Sequence, residues 1–438
     1  MHLIYENLIS NLILFWTGTF KGLDQGTGSY ELLPTVWEAI GKATAQSGST
    51  IPTAYGARPP NIADNKMSCT ADTWSFWLLY IGPILLQGRF TQEVYYTHFI
   101  ELVKLVNMCL QFEIARTDVD VIRKGFASWV EQYERLYYQT SPDRLPACPV
   151  TVHNLLHVAD GIEAIGPVWA YWVFPVERFC GLLKPAIKSR RHPYTNIDNF
   201  ILANAQITQI KNFYDLHEEL KLTCKNPELL KGTAVDGYEE FMLHYPRIKS
   251  PTMDTGLTNH LIAALSTRYS KHVNTVRRAF ASAHIELWGK IQILGGGDTI
   301  RASEVGSSKS EDSRNATYIR YELLVDKNAR FSRKKPELVP KTHYGQLQYI
   351  VMVKLKPSKG LDIPNGDTIL LAVVKSCKII KSTTLDMHFY KTYGSTDAVD
   401  ATTLQCLVGR VFDRNHWIIF DRSGNLARPT FQTADSGV

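Results

Sequence analysis

The chain has 438 residues, 45% of them hydrophobic and 21% charged, with a formal net charge of +6. That composition excludes a disordered chain and supplies material for two or three domains. The mildly basic balance permits a nucleic-acid partner without demanding one.

The first two hundred residues read as helices. Leu3, Ile4, Leu8, Leu12 and Phe15 recur at helical spacing. Pro34 opens a helix over 35–45, in a position where its missing N–H costs nothing. Residues 91–112 form a long apolar-periodic run. Residues 119–138 repeat it with Ile122, Phe126, Trp129, Tyr133 and Leu136. Helices are also expected over 149–161, 174–189 and 196–215, the last capped by Thr195 or Asn196. One or two more are expected over 258–287. The character then changes. Gly295-Gly296-Gly297 and the polar tract 303–314 read as loops, and 330–341 as a basic connector that is either solvated or in contact with DNA. Strands are expected over 318–325, 347–355, 368–379, 387–390, 403–411 and 417–420.

The resulting fold class is α+β, a mostly helical N-terminal region followed by a small β-rich, barrel-like domain. The expected divisions are a helical region at 1–215, a helical connector at 216–290 and a β-rich domain at 291–438. Seven cysteines, odd in number and widely spaced without C-x-x-C, fit a reducing compartment rather than a disulfide framework. The apolar start carries Glu6 and lacks a basic leader. The run 77–86 is too short to span a bilayer. No membrane partner is expected.

The chemistry concentrates in 153–192. His153 and His157 stand four apart, so they share a helix face and could ligate one metal ion, usually zinc, or bond locally. Two ligands are not a site; Cys69 and Asp72 are the nearest further candidates by type. Glu177 sits among Trp169, Tyr171, Trp172, Phe174 and Phe179, where a carboxylate is costly to bury without a partner. It is either a metal-binding carboxylate or an acid favoured by a helix start. Lys184, Lys188, Arg190, Arg191 and His192 follow within two turns, more cations than capping needs, and suit phosphate contact. Carboxylates that hold divalent ions, beside cations that hold a strand, are what phosphodiester chemistry uses. No nucleophile-elbow, Walker or zincin motif supports a rival enzyme class.

Several longer pieces carry a resemblance. They are MHLIYENLISNLILFWTGTFKGLD at 1–24, TADTWSFWLLYIGPILL at 70–86, GPVWAYWVFPVERFCGLLK at 166–184, SRRHPY at 189–194, RYELLVDKNAR at 320–330, HYGQLQYI at 343–350 and LQCLVGRVFDR at 404–414. Over nearly its whole length the chain resembles the C-terminal part of CACTA (En/Spm)-type DDE transposases, especially a fungal transposase-like family. The resemblance implies an RNase H-like core in which two Asp and one Glu bind two Mg²⁺ ions, and cut-and-paste chemistry at transposon ends. It implies a nuclear protein that works on DNA, as a homo-oligomer. By it, Glu177 is the final acid and His153 and His157 are a zinc-binding pair. The region from about 20 to 150 is then the insertion before that Glu. The family's second Asp lies two residues before a Met-His pair like Met1-His2, so the expectation is an active site whose first two acids are missing and a chain inactive alone. The family's other zinc pair reads Asp or Cys with His three later; here Asp72 is followed by Ser75, and Cys69 precedes Asp72 by three. The alternatives are a non-catalytic DNA-binding protein descended from a transposase and a helical scaffold without a nucleic-acid role.

Overall fold

The structure is a computed structural model. Chain contacts divide it into two units. The described residues of the first are 2–24, 26–28, 97–217 and 219–220; those of the second are 29–64, 69–96, 232–306, 313–328 and 335–422. The helices in chain order are α1 (Ile9–Trp16), α2 (Pro34–Ser47), α3 (Ala71–Phe76), α4 (Gly82–Leu85), α5 (Glu93–Cys109), α6 (Arg116–Tyr133), α7 (Val150–His153), α8 (Val158–Ile165), α9 (Phe174–Leu183), α10 (Pro193–Tyr214), α11 (Thr255–Tyr269) and α12 (Val273–Phe280). No described helix is long and apolar enough to cross a membrane.

The first unit is helical, with no strand among its described residues. The expected periodicity of α6 is realised: Val119, Ile122, Phe126, Trp129 and Tyr133 are buried. Beyond it the chain widens into a π-turn, Glu134–Tyr138, which inserts one residue into the phase. Tyr137 therefore goes inside, not Leu136. Tyr137 meets Trp16, whose Nε1 donates to its hydroxyl at 3.1 Å. His98 lies flat on Trp129, ring centroids 4.2 Å apart, and burial lowers its pKa to about 4.

The second unit is built on an antiparallel sheet: β1 (Thr233–Ala234), β2 (Phe241–Lys249), β3 (His284–Ile293), β4 (Thr299–Arg301), β5 (Tyr318–Asp326), β6 (Leu338–Leu355), β7 (Asp367–Ser382), β8 (His388–Asp400), β9 (Leu404–Leu407), β10 (Gly409–Asp413) and β11 (His416–Phe420). The main ladder runs β1-β2-β3-β6-β7-β8-β11-β10; β4 pairs with β3, and β5 with β6 and β9. β9 and β10 are separated only by Val408, whose N–H donates to the Tyr318 carbonyl at 3.0 Å. β5, β6, β7, β8, β11 and the run 404–413 therefore pair in a closed ring, the small barrel the sequence led us to expect, and β3, β2 and β1 extend the sheet outward from β6. Central β7 is buried continuously over 369–374, the pattern of a strand covered on both faces. Helices α11 and α12 pack Leu257, Leu261, Leu265, Val276 and Phe280 into the same core, with Asp254 capping α11 by accepting the Leu257 N–H at 2.6 Å.

The span 216–290, expected as a helical connector, holds α11 and α12 but also β2 and most of β3. The helical reading of 258–287 overran because the helices stop at Tyr269 and Phe280. Trp288 and Ile291 then point from a strand into the core. The expected strands from 318 onward are all present, several longer than read.

One register detail shapes the surface. β6 and β7 pair from Leu355↔Asp367 to Gly345↔Ser376 and stop there. β6 continues against β5 to Leu338, and β7 continues against β8 to Ser382. Over the described residues the sheet therefore forks into two arms, β5–β6 and β7–β8.

Candidate nucleic-acid interface

The candidate residues of 153–192 lie in the first unit, from α7 to the start of α10. The histidines are brought together. α7 passes through a 3₁₀ turn, Asn154–His157, into α8, and the two Nε2 atoms stand 3.3 Å apart with both side chains exposed. His157 Nδ1 lies 3.6 Å from an Asp160 carboxylate oxygen. His157 also edges an apolar cleft of about 270 Å³ lined by Leu3, Val106, Tyr171, Trp172 and Phe174.

Glu177 is not enclosed by its aromatic neighbours. Pro175 opens α9, Phe174 turns inward, and Glu177 stands in the first turn with its side chain half exposed. Trp169 is held elsewhere, donating its Nε1–H to the Phe112 carbonyl at 3.0 Å. The partner of Glu177 is one that sequence reasoning did not assign: His2, whose Nε2 lies 3.3 Å from Glu177 Oε1. His2 Nδ1 contacts Glu6, so this imidazole lies between two carboxylates.

The cations are not on one helix with Glu177. α9 ends at Leu183, Lys184–Ala186 is a single 3₁₀ turn, and Lys188, Arg190, Arg191 and His192 lie in the following loop. Pro185 and Pro193 account for the break, since proline lacks the N–H that a continuous helix needs. Pro193 also starts α10, so neither Thr195 nor Asn196 caps it. Asn196 instead accepts the N–H groups of Lys188 and Ser189 through Oδ1, at 2.9 and 2.8 Å, and fastens the loop to the helix. Lys184, Lys188, Arg190, Arg191 and His192 are all exposed, and none is ion-paired among the described residues. α10 buries none of its own residues and exposes Phe200, Ile210, Phe213 and Tyr214.

Cys69 and Asp72 belong to the second unit, the histidine pair to the first. Asp72 stands in the first turn of α3, where burial raises its carboxyl pKa to about 6. Among the described residues no three His, Cys, Asp or Glu side chains are grouped to hold a metal ion. The donor sets are thus two imidazoles toward zinc and one carboxylate toward Mg²⁺. Neither is a site of the kind these ions require, and no chemical step through a metal follows from these residues. Of the connector 330–341, residues 330–334 lie outside the described residues, as do 307–312 of the polar tract.

No protein-family model, curated protein or solved structure matches the chain.

Proposed function

We propose that the chain is the C-terminal part of a CACTA-type DDE transposase, and that the loop at 184–192 binds the phosphate backbone of DNA beside Glu177. The observation that carries this reading is the contact between His2 and Glu177, residues 175 positions apart in sequence. The resemblance sets the second catalytic Asp two residues ahead of the Met-His pair; the fold sets His2 against the residue that the same resemblance makes the third acid. The contact supports this reading because the resemblance assigns both residues to one active site. The unpaired cations of the loop supply the contacts that position a strand.

By this reading the helical unit is the last part and the insertion of an RNase H-like core. Its partners are transposon-end DNA and further copies of the chain, in the nucleus. Mg²⁺, and zinc at the histidine pair, belong to the complete catalytic assembly. A non-catalytic DNA-binding protein is the second reading, favoured by the lack of any three grouped metal-ligating side chains among the described residues.

The test is binding of the 438-residue chain to duplex DNA across a salt series. Affinity is expected to fall as salt rises, with a log–log slope of about −0.9 per phosphate contacted. Absence of salt-dependent binding overturns both readings. With Mg²⁺ and a transposon-end duplex, binding without cutting is expected; robust cleavage by this chain would overturn the assignment of an incomplete metal site.

A further inference from the structure

The fork in the sheet of the second unit holds a cleft of about 700 Å³. Its lining includes Arg320, Lys341, Tyr344, Ser382, His388 and Asp421. Four of these form one hydrogen-bonded chain. Ser382 Oγ lies 2.8 Å from His388 Nδ1, His388 Nε2 lies 2.9 Å from the Tyr344 hydroxyl, and that hydroxyl lies 2.8 Å from Asp421 Oδ2.

The donors along the chain can be assigned from chemistry alone. An ionised Asp421 only accepts, so Tyr344 gives it the phenol proton. Tyr344 must then accept from His388, which fixes the ring proton on Nε2. Burial lowers the pKa of His388, with Arg320 acting the same way and Asp421 and Asp386 opposing, which favours the neutral imidazole. A neutral ring protonated at Nε2 has a bare Nδ1, and the Ser382 hydroxyl donates to it. A serine hydroxyl donating to an oriented, neutral imidazole is the arrangement of an activated nucleophile. Ser382 is exposed at the cleft while Tyr344 is buried.

We propose that Ser382 and His388 form a nucleophile–base pair that transfers acyl groups from carboxylic esters entering this cleft, with Tyr344 and Asp421 as positioning residues. Ser382 Oγ bonds to the ester carbonyl carbon as its proton passes to His388 Nδ1. The C–O bond to the alcohol breaks, and that proton leaves on the alcohol. Water, deprotonated by the same nitrogen, then releases the acid and restores the serine. Lys341, which also lines the cleft, offers a cation for the charge that develops on the carbonyl oxygen. The cleft has the size of small-ligand sites.

The bland alternative is a brace between cross-strand neighbours, because Ser382 and His388 are register partners across the β7–β8 hairpin. Two measurements on the full chain separate the readings. A fluorophosphonate probe should modify Ser382, located by peptide mass, and p-nitrophenyl acetate should be hydrolysed. Both signals should vanish in Ser382→Ala, whose site is exposed. They should fall roughly 100-fold in His388→Gln, the scale of a lost general base. Tyr344→Phe keeps the ring; it should lower kcat by roughly tenfold and leave KM in place, a split that a loss of folding would not give. No modification of Ser382 in the folded protein, or equal hydrolysis by Ser382→Ala, reduces the chain to a structural brace and overturns the proposal.

Discussion

The loop at 184–192 and the β2–β3 region of the second unit both carry arginines, and they use them in opposite ways. In the loop every cation is exposed and none is ion-paired among the described residues. Between β2 and β3, the Arg247 guanidinium stacks 5.0 Å over Trp288 and donates through Nε to Glu286 at 2.9 Å, with a second, closer contact from its terminal nitrogen. Glu286 is 1% exposed. Further along the same sheet Arg410, also buried, lies 3.2 Å over the Tyr318 ring and donates to the Tyr390 hydroxyl at 2.8 Å. A cation packed against aromatic rings and partnered inside the chain serves the fold. One that is positioned by a proline break and an asparagine, yet left unpaired, is available to a partner. Charge count alone would rank the two regions alike.

That contrast can be broken or sharpened by experiment. The largest effect is expected where the aromatic support is removed. Trp288 is fully buried, and Trp288→Ala should cost about 3–5 kcal/mol in denaturant unfolding, the range for deleting a buried aromatic side chain. A loss under about 1 kcal/mol would mean that β3 is not the spine of this unit.

Next in size is an effect of pH in the helical unit. Burial lowers the pKa of His98 from 6.5 to about 4, with its bond to the Trp129 carbonyl pulling the other way. A depressed folded-state value means that the unfolded chain binds the proton more readily. The contribution is therefore complete above pH 6.5 and is lost as pH falls toward 4. Its scale is on the order of 3 kcal/mol. Stability measured at pH 7.5 and at pH 5 should differ more for the native chain than for His98→Gln. Equal slopes would place the pH sensitivity elsewhere.

A smaller loss is expected at the ion pair. Burial works to raise the carboxyl of Glu286, but Arg247 and His284 hold it below the usual carboxylate range. Arg247→Ala leaves that carboxylate buried without its main partner and should lower Tm by a few degrees. Arg247→Ala combined with Glu286→Gln should recover part of the loss, because the stranded charge is gone. A double variant no better than the single one would assign the loss to packing on Trp288 rather than to charge.

How much of this was legible beforehand depends on the reach of the interaction. The α6 stripe follows from local spacing and was read correctly up to Tyr133. The π-turn after it, which swaps Tyr137 for Leu136, leaves no mark in a periodic pattern. The prolines at 185 and 193 were visible signals for a loop, and weighing them would have separated the cations from α9. The helical reading of 258–287 runs four residues into β3 because the inward setting of that strand comes from β2 and β6, far away in sequence. The partner of Glu177 lies 175 positions away, and pairing at that range is written in no local motif. The Ser382–His388 pair is different. It spans one hairpin turn, so a serine and a histidine flanking a turn between two expected strands were a signal within reach.

The smallest effect on stability, and the largest on binding, is expected at the loop itself. Lys188, Arg190 and Arg191 are exposed, so reversing their charge should change unfolding free energy by no more than about 0.5 kcal/mol. If they hold phosphates, the same triple reversal should remove duplex binding at moderate salt. Neutralising one of them at a time should flatten the log–log salt slope by about 0.9 each. Asn196→Ala separates position from charge. It releases the Lys188 and Ser189 N–H groups without removing any cation. If the fold presents these side chains in a set geometry, this variant should weaken binding while the salt slope stays the same. If instead binding and slope are both untouched, the loop acts as a mobile polycation and the asparagine has no part in recognition. If the triple reversal leaves every interaction intact, the unpaired cations are only solvated, and the contrast with the β2–β3 region carries no functional meaning.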